Sequence, residues 1–355
     1  MAYHDRLAQA WRDHLAPRAP DAPTVVSLFA GAGGSSLGYS MAGFDERLAV
    51  EWDDTQATTF KTNFPDVPLF HADIATLTDD EALRLARVAP GELDVLDGSP
   101  PCQGFSQSGQ RAFADGRNRL FLEYARLLRA YRPRAFVMEN VSGMLVGKMK
   151  PIFAAILQEL ESSGYRVSAR LLVAGHYGIP QYRRRLIFIG IRDDLAQLGI
   201  VPSHPAPTSW PVTIREAFFG VVNTQADRDE AAHSPGITRD VILRLKPGQL
   251  GSALKKGHYY NHSRLAWDWH ANGVMKSSYE INHPEEVRRL TIKEVQRIGS
   301  FPDPFVLVGT FKERWAAVGN CVPPLFMRAI ARHVRSLLSQ IPADEGVEEY
   351  GKQAI

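Results

Sequence analysis

The chain has 355 residues, 45% of them hydrophobic, and a formal net charge of +2, which allows one large domain or a large and a small one around a substantial core. The near-neutral charge excludes a protein that holds nucleic acid by its overall field, so any such contact must come from local basic patches. Two cysteines cannot build a disulfide framework or a Cys-rich zinc site, no apolar run is long enough to cross a bilayer, and residues 1–23 lack the apolar centre of a secretory leader, so a cytoplasmic protein with free thiols is expected.

The first element is a β-branched run, Val25 and Val26, that leads through Leu28 and Phe29 into the glycine-rich turn FAGAGG and then a helix-like segment. A second apolar run ends at Glu51 and Trp52, followed by a helix over 54–63 and a short strand ending in HADI, residues 71–74. Leu93 to Leu96 reads as a short buried strand, and a helix follows over 118–132, where Leu120, Tyr124, Leu127, Leu128 and Tyr131 recur at helical spacing. Pro133 stops that helix. Residues 135–141 read as a buried strand and 151–163 as a helix with proline near its start. VSARLLVA and RRLIFIGI follow as strands. This cadence predicts an α/β fold: a doubly wound, mostly parallel sheet with helices on both faces. From about residue 202 to 286 the pattern becomes irregular and rich in Pro, Gly, His, Trp and Tyr, which predicts a smaller second domain. A helical segment over 290–299 and a final helix over 325–340 close the chain, and no internal repeats occur.

The glycine turn lies where a strand meets a helix, so its backbone can approach a ligand closely. Acidic residues end the next two strands, Glu51 and Asp73, the first of them about twenty residues beyond the turn, where a carboxylate can hold ribose hydroxyls. A tight packing turn would explain the glycines alone; the acidic pair favours a nucleoside. The turn departs from GxGxxG, since Ser36 replaces the last glycine, and no GxxxxGK[ST] loop is present. A cofactor with adenosine but no phosphates fits this pattern better than a dinucleotide or ATP.

In GSPPCQGFSQSGQ, residues 98–110, Pro100 and Pro101 fix the path of the chain ahead of Cys102. The neighbours are small and polar, unlike the packing around a core thiol. With these residues in view, the chain resembles the cytosine C5 DNA methyltransferases, which use S-adenosylmethionine. The motifs occur in the family's order: FAGAGG, PPCQGFS, ENV at 139–141, QYRRR at 181–185, RRLTIKEVQRIGSFPD and GNCVPP. They span residue 27 to about 324.

The resemblance implies the following roles. Cys102 would add to C6 of cytosine as a thiolate, making C5 nucleophilic. Glu139 would protonate or hydrogen-bond N3, a role that favours a pKa raised by burial. Arg185 would contact the base and Arg183 would support it; two apart on a strand, they share a face while Arg184 points away. Phe29, Ala30, Gly31, Gly33 and Gly34 would line the methionine and adenosine parts of the cofactor. Glu51 would take the ribose and Trp52 would lie against the adenine. Asp73 and Ile74 would bracket the adenine, and Pro101 and Asn320 would close the pocket. The family usually carries an acid where Ser27 stands. Cys321, in GNCVPP, would be structural.

The target carbon is hidden in a stacked duplex, so the base must be swung out. Residues 106–119 are polar, with glycine hinges and several arginines, and are expected to close on the extruded base. Gln103, Ser106, Arg111 and Arg117 are expected to meet double-stranded DNA there, as are Lys255, Lys256, Tyr259, Tyr260 and Arg264 in the cation-and-aromatic segment 255–273. His258, His262 and His270 have irregular spacing and no cysteine partners, so no metal is expected. The segment NGVMKSSYEINHPEE replaces the family's Pro-Thr-Ile stretch.

The domain expectation is a catalytic and cofactor-binding unit over 1–194 and 315–345, a target-recognition unit over 195–314, and a flexible tail over 346–355. The predicted enzyme transfers methyl from S-adenosylmethionine to C5 of an everted cytosine in a short duplex site, acts as a monomer, and works beside a restriction endonuclease that reads the same site. Methylation of a tRNA cytosine by the same chemistry, a catalytically silent DNA-binding regulator and a nicotinamide-dependent dehydrogenase are the alternatives.

Overall fold

The computed structural model describes residues 1–101, 119–233, 237–254, 262–276 and 280–342. In chain order the first half contains α1 (Tyr3–Leu15), β1 (Thr24–Leu28), α2 (Gly34–Met41), β2 (Asp45–Glu51), α3 (Asp54–Asn63), β3 (Leu69–His71), α4 (Asp79–Ala86), β4 (Val95–Gly98), α5 (Arg119–Tyr131), β5 (Ala135–Val141), α6 (Lys150–Ser162) and β6 (Tyr165–Val173). Then come β7 (Gln181–Tyr182), β8 (Arg184–Arg192), α7 (Asp193–Gln197), α8 (Ile214–Phe218), α9 (Gln225–Ala231), α10 (Ile237–Arg244), β9 (Ser263–Arg264), β10 (Ala271–Asn272), β11 (Ile281–Asn282), α11 (Ile292–Ile298), α12 (Phe311–Asn320) and α13 (Pro324–Leu338).

Seven strands form one sheet in the order β3-β2-β1-β4-β5-β8-β6. All run in one direction except β8, which lies antiparallel between β5 and β6. The strands at its centre are apolar on both sides, as a sheet covered on two faces requires. Alternation sorts the side chains: Val25 joins one buried layer with Leu37, Tyr39 and Ile330, whereas Val26 joins the other with Leu127, Leu128 and Ile156. Thus α1, α2 and α13 cover one face and α4, α5 and α6 the other. The doubly wound, mostly parallel α/β architecture expected from the sequence is present.

Residues beyond β8 are irregular, as expected, but not structureless. They carry short helices and two small parallel ladders, β7 with β10 and β9 with β11. Capping boxes start α8, α9, α11 and α12: in α11, for example, Thr291 and Glu294 satisfy each other's orphan backbone N–H groups. The buried layer that contains α2 and α13 extends without a break into Ile214, Leu265, Ile281, Val295 and Ile298.

The chain's return through α12 and α13 matters most for position. α13 lies against α2, where a side chain on Gly38 would strike the backbone of Arg328 and the Cβ of Met327. That close approach places residues 319–323 beneath the glycine turn. Among the described residues no helix is long and apolar enough to cross a membrane.

Candidate active site

The expected site residues that the structure describes gather at the edge where the parallel strands end, the edge at which open α/β sheets bind ligands. The glycine turn leaves β1 there. Phe29, Gly31 and Gly33 have φ of +58°, +57° and +92°, so the turn uses left-handed backbone at three positions, one of them a phenylalanine. A non-glycine residue held there is strained and is typical of functional turns. The Gly33 N–H donates to the Ala30 carbonyl at 3.0 Å, and the Ala30 N–H donates to Val50 at 3.0 Å. Gly34 opens α2.

Glu51 ends β2 with its carboxylate aimed at this turn. One oxygen accepts from the Gly31 N–H at 2.7 Å; the other accepts from the N–H groups of Trp52 and Asp53, both at 2.9 Å. An ionised carboxylate has about four acceptor positions, so capacity remains for a ligand's hydroxyls. Trp52 is 74% exposed beside it, an indole face free to receive a planar ring. Asp73 caps a short 3-10 turn by accepting from the Ala75 N–H at 3.0 Å, and its second oxygen lies 3.6 Å from Arg119. Ile74 is buried. Pro101 and Asn320 are both exposed.

The catalytic acid expected at Glu139 lies near the end of β5, paired with the Arg185 guanidinium of β8. Their side chains retain 11% and 17% of their accessible surface. Beside them, Asn140 donates to the Pro100 carbonyl at 3.3 Å and accepts from the Val141 N–H at 2.7 Å, tying the end of β5 to the two prolines that precede Cys102.

Arg183 and Arg184 diverge as alternation requires. Arg184 is exposed, while Arg183 is 4% exposed and gives its guanidinium to carbonyls: Val274, Gly319 at 2.8 Å and Cys321 at 3.3 Å. Burial, then the nearby Arg185 charge, lowers its pKa to about 9. Its contacts are those of a support between β8 and the end of α12. Gln181, for which residue type alone implies no role, works with it: its amide donates to Ile298 at 2.9 Å and accepts from the Val274 N–H at 3.1 Å.

Cys321 is buried below the glycine turn, where a side chain on Gly34 would lie 2.7 Å from its Cβ. Burial pushes its thiol up to about 11, so it stays protonated and unreactive near neutrality.

One residue expected to meet DNA has partners within the protein. The Arg264 guanidinium donates to the carbonyls of Leu245 at 3.0 Å, Pro284 at 3.0 Å and Glu285 at 2.8 Å, locking three loop segments together. Cys102, Gln103, Ser106, Arg111 and Arg117 lie outside the described residues, as do Lys255, Lys256, Tyr259 and Tyr260.

Two further acids with no expected role lie under the turn, Asp97 buried and Glu46 half-buried. Asp97 on β4, in register with Ser27, is 2% exposed and accepts from the Tyr39 hydroxyl at 3.3 Å. Glu46 on β2 accepts from the Ser36 hydroxyl at 2.7 Å. Burial raises both carboxyls, Glu46 to about 7 and Asp97 to about 8, with the Glu46 charge adding to the shift of Asp97. A polar residue inside an otherwise apolar strand, as in VLDG, was the available signal.

A turn with left-handed backbone, a carboxylate aimed at it and an acid–guanidinium pair on one sheet edge define a ligand-binding α/β enzyme. The model of the family of C-5 cytosine-specific DNA methylases matches residues 23–336. The chain belongs to that family and is a DNA cytosine methyltransferase. It is 34% identical over 329 residues to the Type II methyltransferase M1.HphI of Haemophilus parahaemolyticus, covering 88% of this chain and 86% of the relative. It is 31% identical over 371 residues to M.XorII of Xanthomonas oryzae pv. oryzae, covering 90% and 86%. Among solved structures, a prophage-encoded Escherichia coli protein described as a DNA modification methyltransferase superposes with a TM-score of 0.72 at 24% identity, over 90% of this chain and all of that one.

Proposed function

We propose that the enzyme transfers methyl from S-adenosylmethionine to C5 of an everted cytosine, with Cys102 as nucleophile. The observation that carries this is the Glu139–Arg185 pair, held to the strand end that leads to Pro100 and Cys102 through Asn140. In this reading the Cys102 thiolate adds to C6, and Glu139 delivers a proton or hydrogen bond to N3, where negative charge would otherwise build up; once C5 carries the methyl, loss of the C5 proton to a base expels the thiolate from C6 and restores the ring. Arg185 orients Glu139 and meets the base at O2. Arg183 keeps that arrangement rigid.

The residues present fit the cofactor. Glu51 is fixed by backbone N–H groups yet has acceptor positions left for a diol. The Trp52 indole is open for an adenine. Phe29, Ala30, Gly31, Gly33 and Gly34 supply a turn whose glycines let a ligand approach the backbone closely. Asp73, Ile74, Pro101 and Asn320 complete the reading. When bound, S-adenosylmethionine supplies an electrophilic methyl on a sulfonium. Residues 195–314 are assigned to target recognition. The relatives' Type II names support membership in a restriction-modification system; a cytoplasmic monomer working beside an endonuclease that cuts the same site completes the proposal.

The test is incubation of duplex DNA with the protein and a methyl-labelled donor, followed by nucleoside analysis. The expected product is 5-methylcytosine. Label on the exocyclic N4, or label in tRNA with none in duplex DNA, overturns the reading.

A further inference from the structure

A second feature lies beside the catalytic pair and has no part in the chemistry above. Tyr182 and Arg184 project to the outside of the segment whose inner side carries Arg183 and Arg185. The Arg184 guanidinium sits 5.4 Å over the Tyr182 ring and donates to its hydroxyl at 3.3 Å. His270 stacks on Tyr182 with ring centroids 5.7 Å apart and planes 23° from parallel. Trp269 lies 5.0 Å from His270. On the other flank His176 contacts both Tyr182 and Trp210, at 6.5 and 6.3 Å.

The cluster is built rather than incidental. The β7–β10 ladder sets Ala271 opposite Gln181, and the Ala271 N–H donates to Pro180 at 2.9 Å. Thr208 and Ser209 both donate to the His176 carbonyl, at 2.9 and 3.1 Å, anchoring the strand of chain that carries Trp210. Nevertheless Trp210 is 84% and Trp269 64% exposed. Single exposed apolar residues are ordinary, but a contiguous aromatic surface marks an interaction site.

The occupant follows from charge. Among the described residues no carboxylate pairs with Arg184, and no acid contributes a ring contact or ion pair to the cluster. Aromatic faces combined with an uncompensated cation suit a sugar–phosphate backbone with its bases. The chain's overall charge is too small to gather DNA by itself, so local patches must do it. This patch lies one residue from Arg185.

We infer that Tyr182, Arg184, Trp269 and His270, flanked by His176 and Trp210, grip the DNA backbone next to the target nucleotide. The inference rests on the reading of the chain as a DNA methyltransferase. Arg184 takes a phosphate, and the aromatic rings pack against the adjoining sugar and base.

The test is duplex binding by fluorescence anisotropy across a salt series, with thermal melts as a folding control. Trp269→Ala is expected to raise Kd about five- to tenfold, the low end for one aromatic contact to a nucleotide. Arg184→Gln is expected to flatten the slope of log K against log salt by about one. Both losses should be equal on duplexes with and without the methylation site, and should fall on KM for DNA. Tyr182→Phe, which keeps the ring, should retain affinity. Variants that stay folded, bind within twofold of the parent and keep its salt slope overturn the grip while leaving the methyltransferase reading intact. A shift in oligomeric state with unchanged DNA affinity assigns the patch to protein contact and overturns it too. A parent protein that neither binds nor methylates duplex DNA removes both readings together.

Discussion

The Arg185 guanidinium meets the Glu139 carboxylate across the antiparallel β5–β8 pair, with both side chains largely withdrawn from water. In that setting each group stabilises the charge of the other, and removal of one strands its partner. Arg185→Ala should therefore cost about 2–4 kcal/mol of stability as well as activity. Glu139→Gln keeps size and hydrogen bonding but loses the proton donor. It should fold at a smaller cost than Arg185→Ala, because its amide oxygen still accepts from the Arg185 guanidinium, and lose methyl transfer by about 10²–10⁴-fold, the usual scale of a positioned acid. Urea melts and single-turnover assays separate the two effects; Glu139→Gln with near-normal turnover would remove Glu139 from the proposed chemistry.

Asp97 and Glu46 give stability a distinct pH dependence. Burial raises both above their unfolded values, so the native state holds these protons more tightly than the unfolded chain. Stability from this source is full below about pH 4, the unfolded carboxyl range, and is lost as pH rises through about 7 and about 8, where the native groups ionise. Asp97→Asn keeps a partner for the Tyr39 hydroxyl and cannot ionise. Its melting temperature should exceed the parent's at pH 8.5 and converge with it near pH 4, with a gain of roughly 1–3 kcal/mol at the higher pH. An identical pH profile for parent and variant would show that Asp97 is not a buried acid in solution.

Two cysteines with opposite fates provide a third check. Cys321 is buried, raised to about 11, and packed under Gly31 and Gly34. Cys321→Ala should retain methyl transfer and lose about 1–2 kcal/mol of stability from the space left behind. Cys102→Ser should abolish transfer. Alkylation of the native protein at neutral pH should label position 102 and spare 321; mass spectrometry of the digested protein reads this directly. Preferential labelling of Cys321 would place the reactive thiol elsewhere.

How much of this was legible in the sequence depended on whether the signal was local. β5 over Ala135–Val141 and α3 over Asp54–Asn63 match their expected limits, because an apolar run and a capped polar helix each declare themselves within a few residues. The helix of Tyr3–Leu15 was not anticipated, although Tyr3, Leu7 and Ala10 bury one helical face; charged residues between them masked the period. Phe311–Asn320 was missed because GNCVPP reads as a loop, yet its first residues finish a helix capped at Thr310 by Glu313. The site residues were found where chemistry fixes residue type, as at Glu51 and Glu139. Arg264 and Gln181 could not be assigned that way. Their roles consist of hydrogen bonds to the carbonyls of Pro284 and Ile298, and only the folded chain brings those groups within reach.

The glycine turn supports a last prediction, in which binding and folding can be told apart. Gly33 has φ of +92°, and a Cβ there would lie 2.4 Å from the Phe64 ring, itself packed on Phe60. Gly33→Ala must therefore distort the turn or displace a stacked aromatic pair, at a cost of about 1–3 kcal/mol. Gly31 differs. Its φ of +57° is within reach of other residues at modest cost, and an added Cβ would lie 3.9 Å from the Cys321 sulfur. Gly31→Ala should lower the melting temperature less than Gly33→Ala. Glu51→Gln leaves the turn glycines in place but turns an amide N–H toward one of the backbone N–H groups that the carboxylate now accepts from, and should weaken S-adenosylmethionine binding, measured by calorimetry, by about tenfold or more, an effect comparable to loss of a charge-assisted hydrogen bond. Equal destabilisation by the two glycine variants, or full cofactor affinity in Glu51→Gln, would show that the turn does not hold Glu51 for the ligand.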